Sequence, residues 1–576
     1  MAGRYRSPYV DFVFWVVITI VLIDKALVDA NKVLSKSSSS PSITRYKGTK
    51  ANGVEIHAAQ SFHLQGDRDN AQSLASPSLL SITLRGIYLW LTFMPMLVSA
   101  IPAFWSQLWR EHVWYPIVSW TLARGGAAWI KWAQWASTRP DIFPESLCMH
   151  LATLQTGAPA HSYQHTLKEV EEAFGSPLES VFSYFDSSPV ASGSIAQVHM
   201  ATFDGEPVAV KVRHPGVARQ ISIDFRIMAF VGDLAGRLPL LKYLNLKASV
   251  EAFSHTMTGQ TFLDIEGNHL ALFNRNFAQW GDVGFPQPLV SSEGVLVESF
   301  EDGRLVSDFT APDPHPKEGK TSDLDVATNP RLPLAVAHFI VTRGEDLYLK
   351  MLLEDGLMHA DLHPGNILVS FDPKQQHPRR GNARIVLVDA GMVALLSADE
   401  QKNFIGLLEC MVTGDGAEAA EHVLNFSTDQ TCVDRAAFIE AMQLLFEKDC
   451  RGVGQGISLA RVLRGVLKLV REHAVRIDVN YATLVMNALC LDGLANALLP
   501  SYNVLDAAAP LLLTHRRWAG VGRRGGRWLM KQFLKISRWR KERHDAVVGR
   551  KVSSLMQEGR IRGRRRLDSH QARWLL

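Results

Sequence analysis

Alternation of apolar and polar positions predicts a short run of strands in the middle of the chain. The stretch HMATFDGEPVAVKV (residues 199–212) has this period-two pattern and divides at Asp204-Gly205, so it predicts two strands joined by a tight turn. Farther along, GVLVESF (294–300) and RIVLVDAGMVALL (384–396) are apolar runs that each predict a buried strand. These segments indicate a small β-rich lobe and a further strand beyond it.

Helical periodicity surrounds these strands. Residues 111–175 predict helices, and helical patterns return after the hairpin to about residue 275 and again before and after the last strand. This order of elements is the organisation of a two-lobed phosphotransferase. The predicted divisions are an N-terminal targeting or membrane-associated region (1–110), a helical extension (111–180), a β-rich lobe (181–303), a helical lobe (304–514) with a polar insertion near 307–331, and a basic tail (515–576).

Two apolar segments in the N-terminal region point to a membrane. FVFWVVITIVLI (12–23) is shorter than the roughly 20 residues that a spanning helix needs. It is typical of a signal-type region or a short anchor, with a buried helix as the alternative. GIYLWLTFMPMLVSAIPAFW (86–105) is long enough to span, but Pro95 and Pro102 would kink it, and an apolar helix packed on the globular body explains it equally well. The Ser-rich, basic stretch between the two predicts a disordered linker or part of a targeting region.

Charge is distributed unevenly along the chain. From His515 onward there are 19 Lys and Arg against 4 Asp and Glu, so the tail carries +15 and the rest of the chain −11 within the total of +4. Leu529, Phe533 and Ile536 recur at helical spacing among these bases, which predicts a basic amphipathic helix on an anionic membrane surface. A solvated basic tail is the alternative. Nucleic-acid binding is not expected, because no base-reading pattern is present.

Composition adds two limits. The 576 residues are 47% hydrophobic and 20% charged, which is enough apolar material for a sizeable core. The five cysteines are far apart and include no C-x-x-C pair, so the sequence predicts neither a zinc site nor a disulfide framework. A reducing compartment is compatible with this cysteine usage.

Two acidic loops carry the strongest chemical signal. In MHADLHPGNILVS, Asp361 and Asn366 stand five residues apart just before an apolar run, and Asp389 follows another apolar run in LVDAG. The carboxylate of Asp361 can orient an acceptor hydroxyl or take its proton. The side-chain oxygens of Asn366 and Asp389 are ligands that Mg²⁺ accepts between nucleotide phosphates. His363 is predicted to pack and hydrogen-bond inside the loop, with a phosphate-donor role as the alternative, and His359 is predicted to be structural.

The other parts of a phosphotransferase lie upstream. Lys211, in PVAVKVRHPG, is the predicted cation for the phosphates, although a surface lysine on an edge strand would have the same pattern. Glu266, in LDIEGNHLALF, is its predicted partner, because a buried lysine requires a carboxylate. Small residues in PVASGSIAQVH let the backbone approach an anion closely. The residues predicted to cover the phosphates are Ala191, Ser192, Gly193 and Ser194.

Together these motifs resemble those of the aarF-domain (UbiB) family of atypical kinases over about residues 115–510. WIKWAQWASTRPDIFP resembles the family's K-x-G-Q signature and ASGSIAQVH its Ala-rich loop, and VAVKV, HADLHPGNIL and VDAG follow in the family's order. The arrangement is most similar to the mitochondrial, aarF-domain kinase 2-like subgroup. The resemblance implies an α+β, two-lobed protein-kinase-like fold with an N-terminal helical extension and membrane-associated segments.

The resemblance also implies roles and partners. A helix with Lys131 and Gln134 is expected to fold over the active site and to regulate access to it. ATP and Mg²⁺ are the expected cofactors of an ATPase or a small-molecule or lipid kinase in coenzyme Q or mitochondrial lipid homeostasis, at the mitochondrial inner membrane. The expected partners are an anionic membrane surface, a lipid or small-molecule acceptor, and coenzyme Q biosynthesis proteins or a second copy of the chain. The implied catalytic residues are Lys211, Glu266 and Asp361, and the implied metal ligands are Asn366 and Asp389.

Three departures from the family pattern bear on activity. The glycine of K-x-G-Q is Ala133. Both carboxylates of the family's E-x-D motif are absent, with Gln260 and Phe262 in their places, so any gating through them is altered. The Phe of D-F-G is Ala390, which removes the ring that sets active and inactive states in ordinary kinases.

Two functions compete with an active phosphotransferase. A nucleotide-binding pseudokinase that acts as a scaffold or lipid-handling protein is favoured by the missing E-x-D carboxylates. An aminoglycoside- or choline-kinase-like enzyme would share the H-x-D-x-x-x-x-N loop, but the K-x-G-Q-like signature and the Ala-rich loop argue against it.

Overall fold

The computed structural model describes residues 44–45, 79–137, 143–152, 154, 160–236, 250, 254, 257–310, 332–371, 383–450, 457–500 and 502–518. The first apolar segment (12–23), most of the polar insertion (311–331) and the apolar positions of the basic tail (Leu529, Phe533 and Ile536) lie outside these residues.

Helices and strands follow the predicted order along the chain. The described helices are α1 (Leu79–Trp105), α2 (Tyr115–Gly125), α3 (Ala127–Ser137), α4 (Glu145–Ala152), α5 (Tyr163–Phe174), α6 (Leu178–Val181), α7 (Val217–Gly236), α8 (Leu263–Asn276), α9 (Ser307–Thr310), α10 (Leu334–Lys350), α11 (Ala398–Thr413), α12 (Gly416–Leu424), α13 (Arg435–Asp449), α14 (Leu459–Glu472), α15 (Val479–Leu498) and α16 (Val504–Trp518). The described strands are β1 (Thr44–Arg45), β2 (Tyr184–Phe185), β3 (Ala191–Ser192), β4 (Ala196–Phe203), β5 (Glu206–Arg213), β6 (Val283–Gly284), β7 (Pro288–Ser291), β8 (Val295–Ser299), β9 (Arg304–Leu305), β10 (Leu357–His359), β11 (Ile367–Phe371), β12 (Ala383–Leu387) and β13 (Val393–Leu395). Short helical turns lie at Gln107–Trp109, Arg110–Trp114, Met351–Asp355 and Pro364–Asn366.

The first lobe is built on an antiparallel sheet with the order β1-β7-β8-β5-β4-β2, to which β3 adds by pairing with β4. The predicted hairpin is present, and β4 and β5 join at Asp204 and Gly205, which both have positive φ (51° and 84°). Asp and Gly are residue types that adopt this conformation at little cost. Strand β5 lies between β4 and β8, so Lys211 is on a central strand and not on an edge.

Period-two alternation along β5 divides its side chains between two environments. Val208, Val210 and Val212 are buried on the face that α5 and α6 cover. Lys211 therefore points to the opposite face, toward the second lobe. The alternation that identified the strand also positions its one lysine at the junction of the lobes.

The second lobe is mainly helical and contains the largest buried core, which α10 to α16 share with two small sheets. These sheets have the orders β6-β12-β11-β9 and β10-β13. The run RIVLVDAGMVALL, predicted as one strand, forms two, because the chain turns between Leu387 and Val393. The turn is closed by a hydrogen bond from Gly391 N to Asp389 Oδ1 (2.8 Å). The break in the strand therefore places the carboxylate of Asp389 in a loop next to Lys211, in the cleft between the two lobes.

The N-terminal region contributes more structure than the sequence predicts. The stretch predicted as a linker contains β1, which pairs antiparallel with β7 at the sheet edge. Helix α1 includes the second apolar segment and begins before it at Leu79. One side of α1 packs in a core with α2, α3 and α4, and Arg85 binds the buried Asp224 of α7 (2.7 Å). The opposite side is exposed and apolar, and α1 is also long and apolar enough to cross a membrane.

Candidate active site

Lys211 joins the two lobes in a buried ion-pair cluster. Its Nζ lies 2.6 Å from Glu266 Oε1 on α8 and 3.1 Å from Glu298 Oε1 on β8. The same ammonium donates to the carbonyl oxygen of Val388 (3.0 Å), in the residue before Asp389. The predicted pair of Lys211 and Glu266 is therefore brought together, and it is attached directly to the second acidic loop.

The lysine is held in its charged form. Burial alone would lower the pKa of Lys211, but Glu266, Glu298 and Asp389 outweigh this effect and raise the pKa above its usual value. An ammonium surrounded by three acidic side chains is a stable cation at any physiological pH. It is therefore suited to bind phosphate oxygens.

Glu298 is the member of this cluster that the sequence did not predict. It is 3% exposed, and its Oε2 atom has no hydrogen-bond partner among the described residues. Burial raises the pKa of Glu298 to about 8, and Glu266 and Asp389 add to this rise, whereas Lys211 opposes it. The signal was a single acidic residue inside the otherwise apolar strand GVLVESF.

We expect Glu298 to make the stability of the protein fall with rising pH. The folded protein holds this proton up to about pH 8, whereas the unfolded chain releases it near pH 4.5, so the free energy of unfolding decreases over that interval. Glu298→Gln is neutral at every pH and should remove this part of the decline, which makes it more stable than wild type above about pH 8. Urea unfolding across this pH range measures the difference.

The matched control for this prediction is Glu172→Gln. Glu172 forms an exposed ion pair with Lys168, and its side chain is 63% exposed. Its unfolding curve should follow that of wild type at every pH. Parallel pH profiles for Glu298→Gln and wild type would show that Glu298 is ionised throughout.

The first acidic loop is held by its own polar side chains. Asn366 Nδ2 donates to the carbonyl oxygen of Asp361 (3.0 Å), which leaves the amide oxygen of Asn366 for a ligand. His359 is fully buried, accepts from Asp361 N (3.3 Å) and contacts the carbonyl oxygen of Asp389, so it connects the two acidic loops. His363 Nδ1 accepts from Gly365 N (3.1 Å) and shapes the Pro-Gly turn. Both histidines thus have the packing roles that we predicted.

Asp389 is half-buried and stays ionised. Burial would raise its pKa, yet Lys211, Lys131 and the Gly391 N–H together hold the pKa of Asp389 below its usual value. The two acidic loops are linked by a hydrogen bond from Val388 N to Asn366 O (3.1 Å), and a charged carboxylate and an amide oxygen are oxygen donors that Mg²⁺ prefers. The residues present therefore fit a Mg²⁺–nucleotide complex.

The Ala-rich loop also fits a phosphate. Gly193 N donates to Ala196 O (2.9 Å), which folds the loop back on β4. The Oγ atom of Ser192 is buried and has no hydrogen-bond partner among the described residues. His214 Nε2 contacts the carbonyl oxygen of Gly193 (2.9 Å) and supports the loop from behind. The loop therefore holds a polar donor that a ligand can satisfy.

Helix α3, which contains the K-x-G-Q-like signature, lies across both lobes. Ala127, Ala128, Trp129 and Trp132 belong to an apolar cluster with α7, to which Ile195 of the Ala-rich loop and Met392 of the second acidic loop also belong. Lys131 is near enough to Asp389 to lower its pKa. Gln134, by contrast, donates to the carbonyl oxygen of Leu154 (3.1 Å) within the helical extension. The structure thus brings Lys131 to the site and gives Gln134 a contact outside it.

The departures from the family pattern have local structural consequences. Gln260 is buried, and its Oε1 atom has no hydrogen-bond partner among the described residues. Its amide nitrogen lies near Gly391. A Cβ atom added to Gly391 would be 4.0 Å from this nitrogen. Ala390 is fully buried, and its carbonyl oxygen is 3.0 Å from His269 Nδ1 on α8. The backbone N–H of Ala390 donates to the carboxylate of Glu266, so Glu266 and His269, one turn apart on α8, both contact the second acidic loop.

Comparison with known proteins agrees with this geometry. The ABC1 atypical kinase-like domain matches residues 153–423. A probable serine/threonine-protein kinase, abkC, from Dictyostelium discoideum is 31% identical over 76% of this chain and 69% of its own length. A mitochondrial ABC1 family protein of Saccharomyces cerevisiae is 27% identical over 69% of this chain and 68% of its own. A probable protein kinase UbiB from Vibrio parahaemolyticus is 28% identical over 67% of this chain and 68% of its own.

The two-lobed fold, the Lys211–Glu266 pair next to the second acidic loop and these matches agree in one assignment. The chain belongs to the ABC1 (aarF/UbiB) family of atypical kinase-like proteins.

Proposed function

We propose that this protein binds ATP with Mg²⁺ and acts as an ATPase or as a phosphotransferase on a lipid or small molecule, in coenzyme Q or mitochondrial lipid homeostasis. The observation that carries the proposal is the assembled cluster of Lys211, Glu266 and Asp389. Each of these groups comes from a different element, and together they leave a cation and an ionised carboxylate on the same side of the cleft. A relative that is named mitochondrial supports the location, and inner-membrane association is part of the proposal.

Each residue of the site has a separate proposed role in phosphoryl transfer. When bound, ATP would supply the transferable phosphoryl group and Mg²⁺ would neutralise its negative charge. Lys211 binds phosphate oxygens, and Glu266 keeps its ammonium in position. Asn366 and Asp389 offer the oxygens that hold the metal. Asp361, whose side chain is 33% exposed, orients the attacking hydroxyl or water and accepts its proton.

Turnover tests this proposal directly. ADP release is measured with and without vesicles of anionic lipid, for wild type and for Asp389→Asn. We expect Mg²⁺-dependent turnover in wild type and a loss of about 100-fold or more in the variant, because the variant removes the charged metal ligand. Nucleotide binding without any turnover in wild type would sink the enzymatic proposal.

A nucleotide-dependent scaffold or lipid-handling pseudokinase is the second candidate. It is favoured by Gln260 and Phe262 in place of the E-x-D carboxylates, and by α3, which covers the cleft between the Ala-rich loop and Met392. Under this proposal ATP changes the conformation of the lobes without being hydrolysed. The turnover experiment separates the two candidates.

The exposed side of α1 is the proposed membrane contact, with the basic tail as a second one. Leu91 and Ile101 are 60% and 57% exposed on this side, although the other side of α1 packs on the body. Burying each of two such side chains in a lipid surface is worth about 1.5 kcal/mol or more. The double variant Leu91→Ser/Ile101→Ser should therefore bind anionic vesicles at least about ten-fold more weakly in co-sedimentation.

The control for membrane binding is a second pair of exposed apolar residues, Leu444 and Val433, which are 61% and 95% exposed on the helical lobe. Leu444→Ser/Val433→Ser should bind vesicles like wild type. An equal loss of vesicle binding in both double variants would contradict a specific membrane contact at α1.

A further inference from the structure

A group of metal-binding side chains lies in the helical lobe, among residues to which the proposed function gives no role. The Sγ atom of Cys410 on α11 and the ligand atoms of Glu418 and His422 on α12 lie within 4.8 Å of one another. Among the described residues, this is the one place where three such atoms gather. We propose that Cys410, Glu418 and His422 bind a zinc ion that clamps α11 to α12.

Helix geometry brings the three side chains together. Glu418 and His422 are four residues apart and share one side of α12. A tight turn joins the two helices, because Gly414 N (2.8 Å) and Asp415 N (3.2 Å) both donate to the carbonyl oxygen of Cys410. The C-x₇-E-x₃-H spacing differs from the C-x-x-C pattern that identifies zinc sites in sequences, so the sequence did not predict this group.

The imidazole of His422 is oriented for a ligand. Its Nδ1 lies 3.2 Å from Asn403 Oδ1, and Asn403 Nδ2 in turn lies 3.4 Å from the hydroxyl of Tyr481. With Nδ1 donating to Asn403, Nε2 is the ring nitrogen that would bind the metal, and a hydrogen bond from the other ring nitrogen is usual for histidines at metal sites. Gly406 makes room for the ring, because an added Cβ atom there would be 2.2 Å from His422 Nε2.

The donor set selects the metal. A thiolate, an imidazole and a carboxylate are ligands of zinc, whereas Mg²⁺ and Ca²⁺ prefer oxygen alone. A thiolate and a carboxylate also balance the two charges of the ion, so the bound site is neutral. Cys410 is buried, while Glu418 and His422 are half-buried and give the ion a path from solvent. Tetrahedral zinc holds such atoms roughly 3.3–3.8 Å apart, so binding requires side-chain movements of no more than about 1.5 Å.

Metal content and zinc affinity of the full-length protein test the proposal. After treatment with a chelator and dialysis, wild type is expected to bind one Zn²⁺ per chain, and Cys410→Ser and His422→Gln should each bind it at least about 100-fold more weakly. Asn403→Ala keeps all three ligands and should weaken binding by about 10- to 100-fold, because it removes the group that orients His422. Co²⁺ in the same site should give a thiolate-to-metal absorption band in wild type that Cys410→Ser lacks.

One control and one further variant complete the test. Cys432→Ser removes a half-buried thiol outside the group and should leave zinc binding unchanged. Glu418→Gln changes a partly exposed side chain, so its metal-free melting temperature should match that of wild type while the rise produced by zinc is lost. Failure of wild type to bind zinc, unchanged affinity in His422→Gln and Cys410→Ser, or equal loss in Cys432→Ser would each overturn the proposal.

Discussion

Replacing Lys211 by Met is expected to lower the free energy of unfolding by about 3–5 kcal/mol at neutral pH. The reason is that breaking a buried ion pair leaves its partner charge without compensation. Here the carboxylate of Glu266 loses its ammonium partner and Glu298 loses its contact with the same group, and the hydrogen bond to Val388 O between the lobes is lost as well. The variant is also expected to lose nucleotide binding. Chemical denaturation measures the first effect and isothermal titration the second.

The pH dependence of the same variant distinguishes a charge effect from a packing effect. If unpaired carboxylates cause the loss, protonation should relieve it, so the destabilisation should shrink between about pH 8 and pH 5. The matched control is Lys168→Met, in an exposed pair with Glu172, which should change stability by no more than about 1 kcal/mol. A pH-independent loss in Lys211→Met would contradict the account of the cluster.

Asp361→Asn is expected to abolish turnover while nucleotide binding persists. A positioned general base contributes about 10²–10⁴-fold to a rate, and asparagine cannot accept the proton. The substitution leaves the backbone carbonyl that Asn366 binds, so the loop should keep its shape. ADP release and Mg²⁺-dependent ATP affinity, measured on the same preparation, separate the two properties.

The control for this variant is Asp399→Asn, which changes an exposed carboxylate in the first turn of α11. Its turnover should equal that of wild type. If Asp361→Asn lost turnover and nucleotide affinity together, Asp361 would belong to the nucleotide site and not to the acceptor side.

Sequence patterns predicted those parts of the candidate site in which residues that are close along the chain are also close in space. Asp361 and Asn366 lie in one loop, and the period-two pattern around Lys211 determined the face on which its side chain lies. The hairpin was predictable for the same reason, because Asp-Gly favours one type of turn. Residues near one another in the sequence were therefore enough to predict this loop, this strand and this hairpin.

Features that depend on contacts between distant segments were not predictable in this way. Glu298 joins Lys211 only because β8 pairs with β5 in a particular register, and its acidic character in an apolar strand was the one visible signal. The β1 strand has two residues and forms only against the edge of β7. The run RIVLVDAGMVALL reads as one strand because apolar periodicity continues through the turn that Asp389 and Gly391 close.

The cluster at the lobe junction is proposed to be a Mg²⁺–nucleotide site. The most direct test is the affinity for ATP of wild type and Asp389→Asn, measured by isothermal titration with Mg²⁺ and with a chelator. If Asp389 is a metal ligand, Mg²⁺ should strengthen ATP binding to wild type by about ten-fold or more. Asp389→Asn should bind ATP equally weakly with Mg²⁺ and with the chelator. Equal affinity of wild type with and without Mg²⁺, or the same Mg²⁺ effect in Asp389→Asn, would contradict it.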